Sequence, residues 1–444
     1  MRRVWPRARR TRRTAPTALL SLACAASLVG APSDAAAQRP PASDGYLYVW
    51  ATAADTAPVG SERRPRGVFL ATVDLREGSP TRGRVVGAVL AADTAGRGAH
   101  HTEHALAADG LLFANDFGAG RTYRFDLRAP GAPRLLGDFT TAGPFAYPHS
   151  FARLASGHVL ATYQGQGAGR PPGGLAELRR DGTAVRWARA AAPGVDSTAL
   201  LPYSLEVIPA LDRVVTTSTS MTADVGVHVQ LWRLSDLALL HTLAIPEAPA
   251  DAPATHAGHA PAAGGARDSG GVAAHHLLPG EPRLLADGRT VMFGTFTCGL
   301  YVLTGVDAPS PTLRFVRAFP GRDCAVPARV GRWWVQTVPA LHALVALDVA
   351  DPLRPREVSR LAFGDGVSPH WLAADASGRR LVMNGGSYAD ARLHLVTLDA
   401  RSGALAPDAT LPTVDLSRVA VPGLGVVRAV PHGAVFGPAG ERRP

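Results

Sequence analysis

Lysine does not occur anywhere in the 444 residues, so every fixed positive side chain is an arginine. Seven of those arginines are crowded between Arg2 and Arg13. Without residues 1–37, which carry those seven and Asp34, the formal charge falls from +10 to +4. A nucleic-acid-binding protein would be expected to carry a basic stripe, and no such run survives that subtraction. Cysteine is nearly as scarce, with three in the chain and only Cys298 and Cys324 beyond residue 37. In an oxidising compartment these two could pair, but their spacing leaves a disulfide and two free thiols equally open. No stretch reaches the roughly 18 uninterrupted apolar residues of a membrane-spanning helix. A sustained 3.6-residue period is missing as well, so few helices are expected.

The arginine-rich start leads into an apolar run from Ala18 to Val29 and a small-residue site at Ala35-Ala36-Ala37. That order is the signature of an export signal cleaved near Ala37. Arg12-Arg13 leaves twin-arginine export open. Ser21-Leu22-Ala23-Cys24 departs from a lipoprotein box at its first position. The expectation is a periplasmic or secreted protein comprising residues 38–444.

A single phrase recurs through that region: a polar or Pro lead-in, a slot residue, a short strand, an Asp-Gly or Ser-Gly turn and a second strand. It is plain in YPHSFARLASGHVLAT and SPHWLAADASGRRLVMN, and in looser form in HHTEHALAADGLLFAN and VPHGAVFGPAG. With the second of these as template, the slot falls on His104, His149, Tyr203, Gly280, Ala328, His370 and His432, at spacings of 45, 54, 77, 48, 42 and 62 residues. Four-stranded propeller blades repeat at roughly 40–50 residues. The long interval contains residues 247–273, rich in Ala, Pro and Gly, a composition that cannot fill a core and is expected to be a flexible insertion. Too little chain follows His432 for four strands, and strands from Gly45 and Gly67 are unassigned. The fold expected is therefore an all-β, seven-bladed propeller whose N-terminal strands complete the last blade and close the ring.

Slot residues of a propeller line the central channel. Four histidines fall on consecutive blades around the closed ring, with His100, His101 and Glu103 just before the slot of the first. Imidazoles without cysteine or a carboxylate pair favour copper or zinc over calcium or magnesium, and chemistry at such an ion needs one open position. His275-His276, ahead of the Gly280 slot, and His342, in the loop PALHALVALDV, are further metal candidates. Glu206 lies three residues past its slot, so it reaches the channel only through a bulge. His256 and His259 read as solvated loop residues, and His158, His228, His241 and His394 as surface or packing residues. His100 to His104 also fits H-x-x-E-H, which binds zinc only on a helix; the strand-turn-strand phrase that follows argues against one. Trp333-Trp334 reads as blade packing.

Several segments together resemble the selenium-binding protein family, whose bacterial branch includes periplasmic methanethiol oxidases. They are YLYVWAT, FLATVDLREGSPTRGRVVGAVL running into AHHTEH, HSFARLASGHVLAT, ALVALDVADPLRPREVSRL and DASGRRLVMNGGSYAD. The resemblance covers nearly the whole chain after residue 37, loosely. It implies a propeller with a histidine-bound metal, copper in the methanethiol oxidases, that oxidises a small thiol with dioxygen to an aldehyde, hydrogen peroxide and hydrogen sulfide. The residues it points to are His100-His101, His149 and His432, with His342 where the family often has a histidine. The cysteines that commonly follow the double histidine have no counterpart in Ala105–Phe113, which argues against selenium binding. His104 and His370 stand where better-known members carry other residues.

The leading expectation is an exported copper oxidase of small thiols, with Glu103 or Glu206 accepting protons. The alternatives are a non-catalytic propeller that binds a metal or a partner, and a lactonase-like hydrolase, which would want carboxylates and amides around a hard cation.

Overall fold

The computed structural model describes residues 44–56, 65–93, 96, 98–223, 225–249, 275–385 and 390–438. The expected export signal, and residues 250–273 of the expected insertion, lie outside the described residues. Those described form seven antiparallel sheets arranged as the blades of a propeller. Helix among them is confined to four three-residue 3-10 turns, and none is long or apolar enough to cross a membrane.

Blade 1 opens with an irregular inner segment at His100–Glu103, tied to Phe113 and Asn115, and continues through Leu111–Asp116, Arg121–Asp126 and Arg134–Phe139. Blades 2 to 6 begin at Phe145, Pro202, Pro279, Ala328 and Trp371. In blade 7 the inner strand Gly425–Pro438 pairs with Asp44–Ala54, which pairs with Pro65–Asp74 and then Val85–Ala92. N-terminal strands therefore close the ring as expected, with Trp50 opposite Gly433 and Val49 opposite Ala434. Closure of this kind removes the open sheet edge that would otherwise pair with other chains.

Local chemistry explains why the phrase repeats. The first strand turns into the second at Gly110, Gly157, Gly288 and Gly378, all at positive φ, where a side chain would be strained. Blade 3 uses a Pro-Ala-Leu turn there, and blade 5 uses another between its second and third strands, placing Asp212 and His342 in the left-handed conformation. The third strands of blades 7 and 1 end in Asp-Leu-Arg, and both aspartates are gripped bidentately by the arginine two residues on. Those arginines hold Asp74 and Asp126 well below the usual carboxylate range, although burial opposes them. Between blades, the faces of the sheets bury Trp50, Trp232, Trp334 and Trp371 completely. Each indole N–H finds an acceptor: the Asn115 carbonyl, Thr216 Oγ1, Gln336 Oε1 and the Ala434 carbonyl. Cys298 and Cys324 are disulfide-bonded, linking blade 4 to the segment that enters blade 5.

Candidate metal centre

One backbone device recurs in the channel lining of blades 2, 3 and 4. In blade 2, Pro148 pairs with Tyr163 and Phe151 with Ala161, so His149 and Ser150 together face the single residue Thr162. The bulge turns two successive residues toward the axis instead of one. Blade 3 repeats it with Tyr203 and Ser204 opposite Thr217, and blade 4 with Gly280 and Glu281 opposite Gly294. Threonines lock the arrangement. Thr162 Oγ1 accepts from the Ser150 N–H and donates to the Tyr203 carbonyl of the next blade; Thr217 does the same between Ser204 and Gly280. Asn115 and Asn384 take this role in blades 1 and 6, donating to the carbonyls of His149 and His432.

These bonds fix the register and correct two slots read from the sequence. His100 and His370 both donate their backbone N–H to the carbonyl of the equivalent asparagine, at 3.0 and 2.9 Å. The counterpart of His370 is therefore His100, not His104. In blade 5 the residue donating to the second-strand threonine is Ala325, at 3.0 Å. The slot there belongs to the residue before it, the disulfide-bonded Cys324, and not to Ala328. The local reason is the same in both places: the inner segments of blades 1 and 5 are irregular where the template assumed a regular strand.

The outer tier then reads His370, His432, His100, His149 and Tyr203 on five consecutive blades. Adjacent rings lie 4.6, 4.5, 4.7 and 3.7 Å apart between centroids. One position further on, the inner tier holds Trp371, Gly433, His101, Ser150, Ser204 and Glu281. His101 stacks under His100 at 4.3 Å and meets His149 at 4.3 Å and Trp371 at 5.1 Å. His101 and His149 are fully buried, whereas His100, His370 and His432 are partly exposed, so the cluster has a closed floor and a wet mouth. Phe117, Tyr147 and Phe296 rim that mouth: Phe117 is 6.0 Å from His100 and from His149, Tyr147 packs on Phe117, and Phe296 packs on Tyr203.

Several of the cluster's ring nitrogens have no partner. His100 Nδ1, His101 Nε2, His149 Nε2 and His432 Nδ1 are buried and make no hydrogen bond. Candidate ligand atoms of His100, His101 and His149 lie within 4.8 Å of one another. An unsatisfied buried nitrogen is costly, and three imidazoles within reach of one another form a donor set that suits a transition metal. The other nitrogens of His101 and His149 are held by Ser150 Oγ at 3.3 and 3.1 Å, the supporting contacts expected of metal-binding histidines. Burial, and then the neighbouring imidazoles, push His100, His101 and His432 well below the ordinary imidazole value. Burial alone takes His370 to about 4 and, against the pull of Glu281, takes His149 to about 3. The rings are therefore neutral at pH 7, as metal ligation needs.

Other sequence candidates fall elsewhere. His104 stacks on Trp371 at 4.9 Å and sits 3.2 Å from Glu281 Oε2, beside the cluster and one level deeper. His275 bonds the Thr297 carbonyl and packs against Phe315 of an outer strand. His276 interacts with Glu247. His342 is a turn residue bonded to the Val367 carbonyl. Glu103 is engaged by Arg153 and the Phe113 N–H across the seam of blades 1 and 2. Glu206 does follow a bulge; burial pushes its carboxyl up to about 7, against the pull of Arg283 and the Leu284 N–H.

Sequence reasoning missed Glu281. It is almost wholly buried and collects His101 Nδ1 at 3.4 Å, His104 Nε2 at 3.2 Å, Ser150 Oγ at 3.4 Å, Arg283 at 3.2 Å and the Ser204 hydroxyl. Burial alone would raise its carboxyl, but His104, Arg283 and Ser204 together hold it below the usual range. The signal was present in YPHS, LPYS and LPGE: a polar residue directly after each slot.

Fold and site together define a seven-bladed propeller with a buried imidazole cluster at one mouth of its channel. No protein-family profile and no curated protein matches the sequence. Among solved structures the chain is similar to a hypothetical selenium-binding protein from Sulfolobus tokodaii, at 14% identity and TM-score 0.66 over 90% of this chain and 95% of that one. It is also similar to the periplasmic gluconolactonase PpgL of Pseudomonas aeruginosa, at 16% identity and TM-score 0.56 over 88% and 99%. A putative 6-phosphogluconolactonase from Bacteroides uniformis gives 12% identity and TM-score 0.54 over 89% and 99%. At these identities the likeness is one of fold.

Proposed function

We propose that the protein is an exported, copper-dependent oxidase of small thiols. The observation that carries this reading is the triad His100, His101 and His149, whose candidate ligand atoms lie within 4.8 Å of one another and each of which has an unpartnered ring nitrogen, as does the neighbouring His432. His370 packs on His432 at 4.6 Å and is partly exposed. Copper held there would supply one-electron exchange between a thiol and dioxygen. The overall conversion proposed is thiol, dioxygen and water to aldehyde, hydrogen sulfide and hydrogen peroxide.

Residues of this chain have separate tasks in that reading. The aromatic rim of Phe117, Tyr147 and Phe296 suits a small, weakly polar substrate and limits the approach of bulk water. Glu206, which follows the blade 3 bulge and whose carboxyl burial pushes up to about 7, is proposed as the proton acceptor. Glu103 and Glu281 are both engaged by arginine and other donors. A lactonase-like reading finds less support, since the unpartnered groups are imidazole nitrogens rather than the oxygen donors a hard cation prefers. Export follows from the sequence of residues 1–37 and is part of the proposal.

Elemental analysis of the purified protein tests the reading first. Copper at close to one ion per chain is expected, with release in His149→Ala and in His432→Ala. Absence of any transition metal overturns it, and metal without peroxide production from small thiols reduces it to a binding protein.

A further inference from the structure

The geometry points to Glu281 as the residue that sets the tautomer of the metal-facing histidines, His101 directly and His149 through Ser150. This inference rests on the metal reading above but concerns hydrogen bonds that exist without the metal.

Donor and acceptor accounting leads to it. An ionised carboxylate only accepts, and Glu281 is surrounded by groups able to donate. Its Oε2 faces His104 Nε2, the Ser204 hydroxyl and the Arg283 guanidinium. Its Oε1 faces Ser150 Oγ at 3.4 Å and His101 Nδ1 at 3.4 Å. Ser150 therefore turns its proton toward Glu281 and presents its lone pairs to His101 Nδ1 and His149 Nδ1. Both Nδ1 atoms then meet only acceptors and carry the proton. That leaves each Nε2 bare, and these are the two nitrogens of the pair that have no partner. One carboxylate from blade 4, reaching across the channel, thus aims two lone pairs on blades 1 and 2 at the same point. The Gly280 slot beside it has no side chain to obstruct that reach.

Substitution by glutamine gives a sharp consequence. Three donors on the Oε2 side would hold the amide oxygen, so the amide NH2 would face His101 Nδ1. A donor there favours the opposite tautomer, with the proton on Nε2 and the lone pair turned away from the cluster. Supporting groups of this kind change metal affinity by about 10- to 100-fold.

The test uses the full chain with 15N-labelled histidine. In the metal-free wild type, His101, assigned by its loss in His101→Asn, is expected to show the Nδ1–H pattern. In Glu281→Gln it is expected to move to Nε2–H, with Cu(II) affinity, measured against a competing chelator, lower by about 10- to 100-fold. Glu281→Asp, which keeps an acceptor, should retain the Nδ1–H form and lose less affinity; it serves also if the glutamine variant fails to fold. A wild-type His101 protonated at Nε2, or a His101 tautomer unchanged in Glu281→Gln, overturns the inference. A tautomer response without copper binding by the wild type overturns the metal reading and leaves the role of Glu281 standing.

Discussion

The two sides of the ring use the same backbone for opposite purposes. On blades 6, 7, 1 and 2 the outer tier is His370, His432, His100 and His149, rings with lone pairs to offer. On blades 3, 4 and 5 it is Tyr203, Gly280 and Cys324, none of which offers a nitrogen. The inner tier crosses that division: Ser150 on the first side holds His101 and His149, and Glu281 on the second side reaches both Ser150 and His101. A blade that carries no ligand thus helps to position the ligands of two that do. A repeat protein gains from this, because the same bulge can present either kind of side chain without redesign of the fold.

Several measurements would break or sharpen that division. The largest effect is expected from Trp371→Ala, since Trp371 is fully buried on the histidine side and packs on His101 and His104. A loss of about 3–5 kcal/mol in urea unfolding is expected, together with weakened metal binding. Replacing Cys298 and Cys324 together by alanine removes a link 26 residues apart in sequence, at a cost of about 3 kcal/mol. Because Cys324 lies on the side without ligands, metal content should not change; if it does, the two sides are not independent.

His149→Ala should lower metal affinity by more than about 100-fold, beyond the loss of a merely supporting group, whereas Tyr203→Phe should leave metal content intact. Acid should act through the same cluster in the metal-free protein. His149 and His370 have folded values of about 3 and about 4, below an unfolded value of about 6.5. Between these limits the unfolded chain binds more protons, so stability is fully present above pH 6.5 and is lost as pH falls toward 4 and 3. The slope should be up to about 1.4 kcal/mol per pH unit for each histidine, and His370→Gln should flatten it. Tyr203→Phe is the smallest expected change, under about 1 kcal/mol.

Much of this architecture was legible in the chain. The recurring turn glycines and the spacing of the slots announced a seven-bladed ring, and the unassigned strands at Gly45 and Gly67 announced how it closes. Grouping histidines by repeat also brought His149, His370 and His432 to one place, although His149 lies far from the other two in sequence. Register was legible only to within a few residues. His104 looked like the partner of His370 because the residues after it match the template, while His100 holds that position because its N–H reaches the Asn115 carbonyl. His275, His276 and His342 carried the right side chain and the wrong neighbours.

What the sequence determined by itself is periodicity: strands that alternate, turns that need glycine, and one histidine-bearing phrase repeated until the ring closes. These depend on residues near one another in the chain. The tertiary structure alone decided which nitrogen of which histidine is left without a partner. That depends on a bulge placing two residues where a regular strand would place one, and on Glu281 arriving from three blades away. Contacts across a channel have no period, so no reading of the repeats could have supplied them.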